Sequence, residues 1–315
     1  MNYLNVKIRV KRIDNIQLAE NNLVKVTEMG NITEVMWMAK KNEKARIKKL
    51  SKDSYVILET GEVRKFEHID NRMQDIRGVR VSLRKLRAYL NTNITDVDKC
   101  RWVTLTYAEN MTDPGRLYLD FKNFNKRFRY WLKKKDLPLY EYIVAMEPQG
   151  RGAWHCHVVF IFPDKAPFIP NEDLRKIWKQ GFVTVKALDD VDNVGAYLTA
   201  YLGDMELGEA LESDVPVFEK QLKEVEYIND DGELKKKKYV KGARLCMYPP
   251  NFNLYRKSSG IKQPESYYTS NGEAEEKVSS HKLTFQKTVQ LNSDDDTFSN
   301  IIDYRYYNNK VSKNQ

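Results

Sequence analysis

The sequence predicts an α+β protein: an antiparallel β-sheet with helices packed on one side, preceded by a small strand-rich lobe. Three observations carry this. Apolar runs of strand length alternate with helical patterns across residues 101–203, in the order strand, helix, strand, strand, helix, strand, helix. The stretch PQGRG, Pro148 to Gly152, separates two apolar runs and reads as the turn of a β-hairpin. Residues 1–76 show only short β-rich runs, NVKIRV, LVKVTEM, EVMWMAK and SYVILETGEV, broken at Gly30 and Gly61.

Length and composition bound the answer. At 315 residues the chain suits one catalytic domain with extensions, or two small domains. Its three cysteines, Cys100, Cys156 and Cys246, are far apart and odd in number, which argues against a disulfide framework and a CxxC zinc site. With neither an N-terminal apolar core segment nor a run of 18 apolar residues, the sequence reads as a soluble, cytoplasmic protein with no membrane partner. A net charge of +9 and a pI of about 9.1 favour partners that carry phosphate. Seven basic residues fall between Lys40 and Lys52, and Arg77, Arg80, Arg84, Lys85 and Arg87 follow before the first strand of the sheet. Either cluster suits a DNA backbone or a solvated helix face.

Taken in order, residues 1–76 form the lobe, and Val79, Leu83, Leu86 and Leu90 then recur at helical spacing. RWVTLTY, Arg101 to Tyr107, is a strand. Asp113 as N-cap and Pro114 at the first helical position open a long helix. Its core stripe is Leu117, Phe121, Phe124, Phe128 and Leu132, opposed by Lys122, Lys126, Arg127 and Arg129, and Lys133 to Lys135 close it. The hairpin follows, then a helix near 171–180, a strand near 182–187 and a helix over Asn193 to Asp204. Residues 204–241 read as an acidic-then-basic insertion or exposed loop, with a turn at Asn229 to Gly232 before KKKKYVK. Tyr255, Arg256 and Lys257 mix an aromatic ring with cations, as single-strand-binding surfaces do. The expected division is therefore a lobe over 1–76, a catalytic domain over 77–264 and a polar, partly disordered tail over 265–315, in which TFSNIIDYRYY is able to dock.

The chemistry concentrates in the hairpin. Strand side chains alternate faces, so His155 and His157 leave on one side while Trp154, Cys156 and Val158 leave on the other. A register opposing Glu147 to His155 adds a carboxylate, and two nitrogens with one oxygen suit a divalent metal. A hydrogen-bonded histidine pair on a sheet surface would show the same spacing. His68, in the lobe, and His281, in the tail, are poor ligand candidates. Tyr197 and Tyr201 share a helix face at i, i+4, which also suits ordinary packing.

Glu147 followed by GRGAWHCHVVFIF, a later YxxxY helix and the upstream TLTY strand together resemble the HUH endonucleases, specifically rolling-circle replication initiators of plasmids, phages and integrative elements. The resemblance covers Arg77 to about Gly203, and GARLCMYPPNFNLYRKSSGIKQP is similar to these initiators as well. It implies a ferredoxin- or RRM-like sheet, with Mg²⁺ or Mn²⁺ held by His155, His157 and Glu147. It implies Tyr197 as nucleophile and Tyr201 as a second one, acting on single-stranded or hairpin DNA at an origin, with Arg84, Lys85, Arg127, Arg129, Tyr255, Arg256 and Lys257 as DNA contacts. Cleavage would leave a 5′-phosphotyrosyl link and a free 3′-OH for a host polymerase. No GxxxxGK[ST] stretch occurs, so a host helicase is the expected partner for unwinding. One position departs from the family, which commonly has Lys three residues after the first tyrosine where this chain has Ala200. A relaxase, a tyrosine transposase or a non-catalytic origin-binding protein are the competing readings.

Overall fold

The computed structural model describes residues 8–41, 47–66, 69–188, 195, 199, 204–213, 222–228, 234–294 and 298–310. Along the chain these form β1 (Ile8–Ile13), β2 (Leu23–Met29), β3 (Ile32–Met38), β4 (Ile47–Lys49), β5 (Ser54–Ile57) and β6 (Val63–Lys65). Next come α1 (Ile76–Asn93), β7 (Cys100–Tyr107), α2 (Pro114–Lys134), β8 (Glu141–Pro148), β9 (Trp154–Ile161), α3 (Asn171–Trp178) and β10 (Gly181–Lys186). Then β11 (Met205–Glu206), α4 (Leu207–Glu212), β12 (Leu222–Ile228), β13 (Leu234–Val240) and β14 (Tyr255–Lys257) follow. The series closes with β15 (Glu265–Ser270), α5 (Asn271–Lys277), β16 (Lys282–Ser293) and β17 (Ser299–Asn308). The class is α+β, and every strand pairing among the described residues is antiparallel. Among the described residues no helix is long and apolar enough to cross a membrane.

The chain divides into two compact units, residues 1–68 with 264–315, and residues 69–263. The first is a six-stranded sheet in the order β1-β16-β17-β3-β2-β15, accompanied by the small β4-β5-β6 sheet. Gly30, at φ +61°, makes the two-residue turn that joins β2 to β3. Val24, Val26 and Val35 bury one face with Tyr307, Ala274 and Val278. Here the structure corrects the expectation of a partly disordered tail. Residues 265–308 supply three of the six strands, and β17 lies in the interior of the sheet between β16 and β3.

The second unit holds a five-stranded sheet in the order β10-β7-β9-β8-β14. As the spacing requires, Asp113 caps α2 by accepting from the Gly115 amide, and Leu117, Phe121, Phe124, Phe128 and Leu132 are buried against Val103, Val158 and Phe160. Helix α3 adds Leu174, Ile177 and Trp178 to the same core. The helices do not all share this side. On the other face Leu86, Leu90 and Ile94 join Ile143, Ala145 and Val159, because β8 and β9 are apolar on both faces at that end and each face must be covered. Between them α1 and α2 leave uncovered the end of the sheet that carries the histidines. The stretch 204–241 is more than a loop. Strands β11, β13 and β12 make a small sheet, and Met205, Ala210, Val240 and Ala243 form its own buried cluster.

Candidate active site

The site is built on the β8–β9 hairpin. Backbone pairing sets Glu147 opposite His155 and Ala145 opposite His157, so the carboxylate and both imidazoles leave one face of the sheet. Cys156, between the histidines, is fully buried in the core on the opposite face, and burial pushes its thiol well up. It is a packing residue. The two imidazole rings lie 6.3 Å apart between centroids. His157 Nδ1 is 3.2 Å from the Thr104 hydroxyl on β7, and its Nε2 is 2.5 Å from Glu147 Oε2. The latter contact lacks hydrogen-bond alignment, and Nε2 of both histidines is buried with no hydrogen-bond partner. Two adjacent orphan ring nitrogens beside a carboxylate fit a divalent cation by donor type. Among the described residues no three His, Cys, Asp or Glu side chains already stand in coordinating positions, since Glu147 is turned onto His157 and an arginine.

Electrostatics favour deprotonated donors. Burial, reinforced by the charge of His157, pushes the His155 imidazole down to about 4, so it is neutral at physiological pH. Burial alone would raise the Glu147 carboxyl, but contact with His157 and the charge of Arg244 outweigh it and hold the group below its usual value.

Arg244 is the residue that sequence reasoning missed. It is 6% exposed, in the short 3₁₀ turn Ala243–Met247 after Gly242. Its Nε lies 2.9 Å from Glu147 Oε1, Nη1 donates to the Pro148 carbonyl at 2.7 Å, and Nη2 meets Glu209 Oε2 at 3.0 Å. Glu209 in turn accepts from the Gly150 amide at 2.7 Å. One guanidinium thus ties the hairpin turn, the site carboxylate and α4 together. The available signal was a lone arginine inside the apolar run GARLCMY.

The remaining expected site residues are distributed unevenly. Tyr197, Tyr201 and Ala200 lie outside the described residues. Gly195 and Thr199 are helical, and the helix docks on α1. The Gly195 amide donates to Asn91 Oδ1 at 2.8 Å, and Arg87 Nη2 approaches the Thr199 hydroxyl at 3.5 Å. Because α1 covers the histidine face, this helix is held on that side of the sheet. Arg84 and Lys85 are exposed on α1. Tyr255 shares a cross-strand row with Ala145 and His157, and Lys257 Nζ stands 5.0 Å over the Tyr89 ring. Arg256 points to the opposite face, its guanidinium 3.5 Å over Tyr118. Arg127 and Arg129 are not at the site. Arg127 donates to the Ile177 and Trp178 carbonyls at 2.8 and 3.1 Å, and Arg129 donates to the Tyr140 carbonyl at 2.7 Å.

A family model described as Replication-associated protein ORF2/gene-2 protein matches residues 100–206, from the first residue of β7 to the last of β11. No curated protein and no solved structure matches the chain. The family match supports a replication-initiator role, and the hairpin with its histidines lies wholly within the matched span.

Proposed function

We propose that this chain is a rolling-circle replication initiator of the HUH kind, which nicks one DNA strand at an origin and later reseals it. The observation that carries the reading is the convergence of His155, His157 and Glu147 on one face of a five-stranded antiparallel sheet, inside the span matched to replication-associated proteins. That sheet, with its metal-type donors on a central strand, is the architecture the resemblance implies. His155, His157 and Glu147 would hold Mg²⁺ or Mn²⁺, which when bound supplies Lewis-acid polarisation of the scissile phosphate.

Tyr197 is the proposed nucleophile. A free phenol titrates near 10, so its attack at neutral pH needs a positive field or a base to favour the phenolate. Its oxygen attacks phosphorus, the P–O bond to tyrosine forms as the P–O3′ bond breaks, and the proton lost by the phenol is balanced by one gained at O3′. The products are a 5′-phosphotyrosyl link and a free 3′-OH. The energy of the phosphodiester is kept in the link, so resealing by that 3′-OH needs no nucleotide cofactor. Tyr201, one helical turn further on, is the proposed second nucleophile for termination. Host helicase and polymerase supply unwinding and synthesis.

Labelled single-stranded fragments covering the surrounding replicon test the reading directly. In Mn²⁺ the protein is expected to nick one fragment at one position. His155→Ala, His157→Ala, Tyr197→Phe and EDTA should each abolish the nick. Binding of every fragment with cleavage of none, in any divalent metal, would overturn the enzymatic reading in favour of an origin-binding protein.

A further inference from the structure

The histidine face stays open where it reaches the edge strand β10, whose alternate residues Phe182, Thr184 and Lys186 are exposed while Val183 and Val185 pack against the core behind. Phe182 is 61% exposed. Its cross-strand row runs Phe182, Thr106, His155, Glu147, and the next runs Thr184, Thr104, His157, Ala145. Phe182 therefore stands two strand spacings, about 10 Å, from His155. The floor between them is formed by the short, partly buried side chains of Thr104 and Thr106.

We infer that β10 is a binding subsite for single-stranded nucleic acid, in which Phe182 stacks on an unpaired base next to the phosphate held at the histidines. Thr184 and Lys186 contact the backbone that leaves the site. This rests on the nicking reading and deepens it by naming the strand state of the substrate. The chemistry selects a single strand because a base in a duplex has both faces covered by its neighbours, and an exposed ring has no purchase on it. An aromatic, a hydroxyl and a cation at alternate positions of one strand offer stacking and phosphate contacts without reading sequence.

The test is equilibrium binding of the full chain to two probes: an oligothymidylate of about 16 nucleotides, and an abasic sugar–phosphate strand of the same length. Phe182→Ala should weaken binding of the oligothymidylate about 5- to 100-fold and leave the abasic strand unchanged, while Phe182→Trp retains affinity. Lys186→Gln should weaken both and reduce the salt slope by roughly 0.7. Equal affinity of Phe182→Ala and the parent for oligothymidylate, an equal loss on both probes, or no binding of oligothymidylate by the parent would each overturn the subsite. The nicking assay separates the two readings. Base-dependent loss in Phe182→Ala without any nick leaves the subsite standing and removes the enzyme, whereas nicking with unchanged Phe182→Ala binding does the reverse.

Discussion

Arg244 shows how much of the site depends on one buried charge. Its guanidinium is matched by Glu147, Glu209 and the Pro148 carbonyl, so removing it strands two carboxylates at the hairpin turn. Arg244→Ala is expected to cost about 3–5 kcal/mol in urea unfolding, and Arg244→Lys to recover only part of this because an ammonium cannot span the same partners. His155 gives a second prediction. Its folded value of about 4 lies below the ordinary 6.5, so as pH falls the unfolded chain takes up this proton first. Stability should therefore drop between about pH 6.5 and 4, by about 1–3 kcal/mol, and level off below. His155→Gln should flatten that part of the pH dependence, and an unchanged slope would contradict the buried neutral imidazole. At this scale the donors were legible, because a period of two fixes which residues share a strand face. Arg244 was not, since the partners that justify burying it come from segments far away in the chain.

At the scale of elements, the capped helix α2 and the hairpin were readable because Asp113-Pro114 and the Pro–Gly turn are local signals. The placement of α1 on the histidine face was not, as an amphipathic stripe tells which residues are buried and not which sheet face receives them. That placement matters through Gly195. A Cβ there would meet the Arg87 carbonyl at 2.5 Å and Asn91 Oδ1 at 2.6 Å, so the helix can lie this close to α1 only with glycine. Gly195→Ala is expected to cost about 1–3 kcal/mol and to reduce nicking more than it reduces DNA binding, as measured by thermal melts and the fragment assay. A melt and a nicking rate that both match the parent would show that the helix is not held there by this contact.

Across the whole molecule, the least legible feature was the joining of the chain's two ends. KLTFQKTVQLNS and SNIIDYRYYN look polar, yet they are β16 and β17. Their buried polar groups satisfy one another: Thr288 donates to Asp303 at 2.7 Å, Asp303 lies 3.2 Å from Arg305, and Arg305 donates to Asn271 at 2.6 Å. Composition therefore mimicked a solvated tail. Since β17 separates β16 from β3, deleting residues 298–315 should collapse the first sheet, with hydrogen-exchange protection lost in β2 and β3 but kept in β7 to β9. Loss of protection in β7 to β9 as well would contradict two separately packed units.

The most direct measurement of the central claim is mass spectrometry of the peptide that carries covalently bound nucleotide after incubation with origin single strand and Mn²⁺. The account predicts a nucleotide adduct on the peptide containing Tyr197, through a phosphate ester of its hydroxyl, absent from His155→Ala and His157→Ala. Strand cleavage without any protein-linked product, or an adduct on a residue other than Tyr197 or Tyr201, would contradict it.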